Sequence, residues 1–172
     1  MNQTIEYYDK NAQAFVDRTL TRDMSSQYAR FLQHVPDGGS ILDVGCGSGR
    51  DLKYFSDQGY TVQGVDASQQ MVEFARNHSL QSVDQLRFDE IKYKEKFDGI
   101  WACASLLHVP KSDLHGTLCL LSQALKPSGV MYISLKEGEG EEILDDRFFS
   151  LWTNDSLRAL IELQTSLDCI HV

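Results

Sequence analysis

Alternating strands and helices predict an α/β protein, with helices on both faces of a mostly parallel sheet in one three-layer αβα sandwich. Three observations carry that expectation. Short apolar runs at Ile41–Val44, Thr61–Val65, Phe97–Cys103 and Val130–Leu135 are separated by stretches with helical spacing. Glycine or proline punctuates most of the changes of period. A length of 172 residues, 42% of them hydrophobic, suits one core of ordinary size rather than two.

The elements follow in order. Ile5, Tyr8, Ala12 and Phe15 recur every three to four residues, as do Met24, Tyr28, Phe31 or Leu32, and Val35. Both stretches read as amphipathic helices that precede any strand and can cover the sheet. The second stops at Pro36-Asp37-Gly38-Gly39. Ile41–Val44 is then a strand running into three glycines, followed by helical Leu52, Tyr54 and Phe55 and a C-cap at Gly59. Thr61–Val65 is the second strand, and Ser68 caps a helix carrying Met71, Val72 and Ala75. Gln85–Phe88 reads as a third strand and Phe97–Cys103 as a fourth. Leu114, Leu118, Leu121 and Leu125 form a helical stripe closed by Lys126-Pro127-Ser128-Gly129, before a fifth strand at Val130–Leu135. The run Glu137–Asp146 holds six acidic residues and two glycines; it reads as a hydrated loop or as a mobile lid over a pocket. Leu157, Leu160 and Ile161 mark a last helix behind Thr153 and Asn154, and Leu167–Val172 alternates like a sixth strand. The expected division of this single domain is a helical cap over 1–38, a ligand-binding core over 39–135 and a substrate-side segment over 136–172.

Composition excludes some partners. Sixteen basic residues against twenty-five acidic ones leave a net charge of −9, the wrong sign for a nucleic-acid backbone. The first residues have neither the basic start nor the apolar stretch of an export signal. The longest mostly apolar run, Gly99–Val109, falls short of the roughly 20 residues that cross a bilayer. No membrane partner and a cytoplasmic location are expected. Cys46, Cys103, Cys119 and Cys169 make no CxxC pair and no zinc spacing with histidine, so they are expected to be reduced, with no metal.

The informative segment is Asp43-Val44-Gly45-Cys46-Gly47-Ser48-Gly49-Arg50. Glycines between a strand and a helix let backbone approach a ligand where a Cβ would collide. Asp66 ends the next strand, where an acidic side chain can accept from ribose hydroxyls. A pyrophosphate-binding turn has the spacing GxGxxG; here the third position is Arg50 and the stretch is GxGxG. Asp43, two residues before the first glycine, would repel a diphosphate and suits a cationic amino group. S-adenosylmethionine has such a group, a ribose and no phosphate.

These residues resemble motif I of the class I S-adenosylmethionine-dependent methyltransferases, in particular small bacterial members similar to the tellurite-resistance and ubiquinone-pathway enzymes. Val65-Asp66-Ala67-Ser68 with Met71, Phe97–Trp101 through Leu106-Leu107-His108, and Leu125-Lys126-Pro127-Ser128-Gly129 resemble the family's later motifs in the same order. Ser128 stands in place of a glycine. The resemblance implies a Rossmann-like fold and cofactor contacts from Tyr8, Asp43, Gly45, Cys46, Gly47, Asp66, Ala67, Met71, Asp89, Glu90 and Cys103. It implies that Asp66 holds the ribose, that Ala67 and Met71 border the adenine with Asp89 and Glu90 near its amino group, and that the Cys103 carbonyl receives the cofactor ammonium. Tyr7-Tyr8-Asp9 resembles a segment whose aromatic closes over the cofactor. The family's final antiparallel strand is missing after Leu167–Val172, so a monomer or a homodimer joined at the incomplete edge is expected.

Blander readings stand beside these. Asp66 can simply cap the helix after it, and Met71 and Tyr8 can be plain core. Arg50 either binds an anion or opens a solvated helix. His108, just past the fourth strand, can be a general base or a structural histidine. The expected activity is methyl transfer to a small-molecule acceptor by in-line displacement. An S-adenosylmethionine-binding module without catalysis and, less favoured by Arg50 and Asp43, a nicotinamide-dependent oxidoreductase are the alternatives.

Overall fold

The computed structural model describes residues 2–162 and 167–170. Five strands, β1 (Ser40–Val44), β2 (Thr61–Asp66), β3 (Ser82–Gln85), β4 (Phe97–Cys103) and β5 (Leu125–Ser134), form one sheet in the order β3-β2-β1-β4-β5. Every pairing in it is parallel. Alternation along β1 sends Ile41 to one face and Leu42 and Val44 to the other. Ile41 joins Val62, Trp101, Phe31, Phe55 and Val72 in one cluster, whereas Leu42 and Val44 join Ile100, Leu114, Leu118 and Leu121 in a second. The first cluster is covered by α3 (Ser25–Leu32), α4 (Arg50–Asp57) and α5 (Gln69–Ser79), the second by α6 (Lys111–Ala124) and α7 (Asn154–Glu162). This is the Rossmann-like αβα sandwich. Among the described residues, no helix is long and apolar enough to cross a membrane.

Several elements depart from expectation. The single apolar stripe Ile5–Phe15 is two helices, α1 (Asn2–Lys10) and α2 (Ala12–Thr19), broken at Asn11 with φ −114° and ψ 19°. The Asn11 amide side chain donates to the Tyr7 carbonyl at 2.8 Å, the local competition that makes asparagine a poor interior residue. The third strand lies earlier than Gln85–Phe88: buried Val83 anchors Ser82–Gln85, pairing ends with β2 at Asp66, and the chain enters a 3-10 turn at Phe88–Glu90. β5 begins at Leu125, before the expected Val130, with the register shifting between Phe97 and Gly99 where Lys126–Gly129 bulges. Ser128 sits at φ +65° there, a conformation that glycine adopts without strain.

The acidic run is not a loop. It holds β6 (Lys136–Glu137) and β7 (Glu141–Leu144), which flank β8 (Arg147–Trp152) in a separate three-stranded sheet. β7 and β8 are antiparallel, joined through Asp145 and Asp146 at φ +48° and +60°, the left-handed pair that suits a two-residue hairpin turn. Phe149, Ser150 and Trp152 of β8 are buried. The sixth strand expected at Leu167–Val172 is not formed over Leu167–Ile170, which has no regular structure; Leu167 instead packs on the α6-side core. His171 and Val172 lie outside the described residues.

Candidate active site

The strand order reverses between β1 and β4, and in open parallel sheets ligands gather at the carboxyl ends of the strands beside such a reversal. A cavity of about 770 Å³ opens there, within the size range of small-molecule sites. Its floor is the glycine loop. Gly45 and Cys46 donate to the Val65 carbonyl at 2.8 and 3.1 Å, which pins the loop to β2. Gly45 has φ +73°, and a Cβ there would overlap the Ser105 side chain. Gly49, at φ +77°, serves packing instead: its Cβ would lie 2.7 Å from the Ala75 Cα on α5. The first and third glycines therefore do different work, Gly45 shaping the cavity and Gly49 letting α4 approach α5.

Asp66 holds the loop to the next element. Its Oδ2 accepts from the Gly47 amide at 2.9 Å and its Oδ1 from the Ser68 amide at 3.0 Å. Burial pushes its pKa up, and these amides pull against that shift. The capping reading of Asp66 and its place on the cavity wall thus hold together. Ser68 accepts from Met71 N–H at 3.2 Å and donates to Asp9 of α1 at 2.6 Å, and Asp9 also accepts from the Gln70 amide at 3.2 Å. At its other end α1 is tied by Thr4, whose Oγ1 accepts from the Phe148 amide at 3.0 Å. The helix therefore bridges α5 and β8 across the cavity, with Tyr8 between the two ties.

Tyr8 and His108 meet. The Tyr8 hydroxyl is 2.9 Å from His108 Nε2, and His108 Nδ1 is 2.6 Å from the Phe148 carbonyl. A carbonyl only accepts, so Nδ1 carries the proton and the Nε2 lone pair receives the Tyr8 O–H. Burial lowers the His108 pKa to about 4, so the imidazole is neutral near pH 7. Burial raises the Tyr8 phenol, with Arg147 pulling the other way.

Of the residues singled out in the sequence, Tyr8, Gly45, Cys46, Gly47, Asp66, Ala67, Met71, Cys103 and His108 all line this cavity. Burial raises the Cys46 thiol and takes Cys103 to about 11, so both are uncharged near neutral pH. Asp43 does not reach the wall. It is 2% exposed beneath the loop, its Oδ2 has no hydrogen-bond partner among the described residues, and burial first, then the Asp51 carboxylate, raises its pKa. Asp89 and Glu90 also lie off the wall, exposed and turned back on Arg87: Asp89 accepts from its side chain at 3.2 Å and Glu90 from its amide at 2.8 Å. The 3-10 turn presents Arg87 and Phe88 to the cavity in their place. Arg50 is neither an open anion site nor solvated; it grips Asp51 at 2.6 and 2.9 Å and the Thr19 carbonyl at 3.1 Å.

Sequence reasoning missed Ser105, Arg147 and Phe149, all on the wall. An arginine opening the aromatic run Arg147-Phe148-Phe149 was the available signal, but only the long-range placement of β8 beside His108 gives it meaning.

A parallel five-stranded sheet with a glycine-floored cavity at its switch point defines an α/β protein whose cavity lies where ligands gather in such folds. Residues 16–164 match a family described as a methyltransferase domain, and the chain belongs to that family. It is 33% identical over 113 residues to the ubiquinone biosynthesis O-methyltransferase of Pasteurella multocida, covering 56% of this chain and 46% of that protein. It is 26% identical over 124 residues to the putative methyltransferase YqeM of Bacillus subtilis, covering 67% and 50%. The chain thus spans about half the length of these curated relatives. Among solved structures, the fold is similar to Burkholderia thailandensis 1,6-didemethyltoxoflavin-N1-methyltransferase with bound 1,6-didemethyltoxoflavin and S-adenosylhomocysteine. That likeness has a TM-score of 0.75 and 23% identity over 92% of this chain and 72% of that one. The DhpI-SAM-HEP complex is similar at TM-score 0.73 and 19% identity, over 95% and 88%.

Proposed function

We propose that this chain catalyses S-adenosylmethionine-dependent methyl transfer to a small-molecule acceptor. The observation that carries the reading is the cradle at Gly45: a loop that excludes a Cβ, with the buried Ser105 Oγ beside it lacking a partner among the described residues. Buried polar atoms of this kind call for a polar ligand group or ordered water, and nothing in the loop is spaced for a diphosphate. When bound, the cofactor supplies a methyl group on a cationic sulfur, open to in-line attack from the opposite side.

The chain's own residues do the rest. Asp66, fixed by two amides, keeps lone pairs free to accept from ribose hydroxyls, with Ala67 and Met71 beside it for the adenine. Gly45, Cys46 and Gly47 let the backbone run close under the methionine portion, and Asp43, buried beneath the loop, helps orient the cofactor through water. Cys103 lies on the same wall, and its carbonyl would take the cofactor ammonium. Residues 1–38 act as the cap and β8 as the substrate-side wall, together excluding water. Alignment of this sort contributes about 7–11 kcal/mol in well-oriented reactions. His108 is a weak base with its lone pair already engaged; its part is to hold and polarise the Tyr8 hydroxyl, which can take part in moving the acceptor's proton.

Calorimetry with S-adenosylhomocysteine tests the reading. Native protein is expected to bind at about micromolar Kd, or about −8 kcal/mol, and Asp66→Ala to lose most of that affinity. No binding to the native protein, or NADH binding in its place, overturns the assignment. Binding without turnover over a broad acceptor panel reduces it to a cofactor-binding module.

A further inference from the structure

Arg147 is a part-buried cation with unfinished hydrogen bonding. Its side chain is 14% exposed, yet its Nε has no partner among the described residues. One terminal nitrogen reaches Asp145 at 3.4 Å, a long contact to a carboxylate that is itself 69% exposed. The guanidinium carbon lies 4.6 Å from the Tyr7 ring centroid and 5.2 Å from that of Phe149. Aromatic faces hold the plane in orientation and supply no acceptors. Arg50, almost as buried at 17%, has a bidentate carboxylate and a carbonyl. The guanidinium also leans on the Tyr8 hydroxyl, which leaves Nε as the donor without an acceptor among the described residues; a planar fork held this way on a cavity wall matches a planar or tetrahedral oxyanion.

We propose that Arg147 is a specificity residue that selects a methyl acceptor bearing an anionic oxygen group, a carboxylate or a phosphonate, and holds it beside Tyr8. Placement favours the acceptor over the cofactor's own carboxylate. Arg147 opens the strand whose Phe148 carbonyl fixes His108, His108 fixes Tyr8, and Arg147 itself hydrogen-bonds the Tyr8 hydroxyl, which sets the fork beside that hydroxyl. The inference rests on the methyl-transfer reading above.

Its test uses an isosteric pair, one anionic and one neutral, and a tetrahedral anion. Benzoate, benzamide and methylphosphonate are titrated by calorimetry into native protein saturated with S-adenosylhomocysteine. The two anions are expected to bind at least about ten-fold tighter than benzamide. Arg147→Met is expected to weaken the anions by about ten-fold or more, with Arg147→Lys between, while S-adenosylhomocysteine affinity stays within about two-fold of native. Retained nucleoside binding shows that both variants are folded. Equal binding of benzoate and benzamide, anion binding unchanged in Arg147→Met, or no anion bound at about 10 mM overturns the proposal. A ten-fold or greater loss of S-adenosylhomocysteine affinity in Arg147→Met also overturns it, assigning the fork to the cofactor carboxylate. If the native protein binds no S-adenosylhomocysteine, the methyl-transfer reading fails; the same titrations on the free protein still decide whether Arg147 holds an anion.

Discussion

Two polar clusters border the same cavity and are built on opposite principles. Around Asp51, both carboxylate oxygens are doubly engaged: Tyr28 and Arg50 Nε donate to one, Trp101 Nε1 and Arg50 Nη2 to the other. Around Tyr8, His108 and Arg147, one pair is satisfied and a buried guanidinium nitrogen finds no partner among the described residues. Low dielectric makes both arrangements consequential. A closed network returns its energy to the fold. An open one waits for a ligand to complete it, so damage there should appear in binding and turnover before it appears in stability.

The sharpest way to break this contrast is Asp51→Ala. It strands Arg50 without its carboxylate and leaves the Trp101 N–H and Tyr28 O–H unpaired, at an expected cost of about 3–5 kcal/mol in urea unfolding. A loss below about 1 kcal/mol would mean the network is not structural. The next largest effect is that of pH on His108. Its folded pKa of about 4 lies below the ordinary 6.5, so the unfolded chain binds this proton more readily. The resulting stabilisation is full above pH 6.5 and is lost as pH falls through about 4, by up to roughly 3 kcal/mol. His108→Gln should flatten that part of the pH–stability curve, and an unchanged slope would assign it to other groups. Tyr8→Phe keeps the ring and removes the hydroxyl; turnover should fall by about 100-fold, while S-adenosylhomocysteine affinity moves less than about two-fold. An equal fall in both would place the hydroxyl on the cofactor. Asp89→Ala should be the quietest, changing that affinity by under about two-fold, because its carboxylate faces solvent beside Arg87. A larger change would restore the sequence-based assignment.

The parallel sheet was legible because buried strands read as apolar runs and each ends at a breaker, as at Asp43–Gly49. The β7–β8 hairpin was not: its turn is Asp145-Asp146 rather than a glycine pair, and β7 is exposed throughout, so acidic composition hides the alternation. The break at Asn11 was hidden for a related reason, since one side-chain amide overrides a stripe that otherwise continues. In the site, the glycine loop, Asp66 and His108 could be picked out because local spacing marks them. Arg147 could not, because its meaning depends on β8 crossing in front of residues some forty positions earlier. Asp43 stood out by its position relative to Gly45, yet only the packing shows that it lies under the loop.

The double anchoring of α1 has a kinetic side. Asp9 fastens one end to α5 and Thr4 the other to β8, so the helix behaves as a crossbar rather than a flap. Were molecules to enter or leave past Tyr8, they would have to loosen one of those fastenings, and the rate of exchange would then depend on a few hydrogen bonds remote from the reacting atoms.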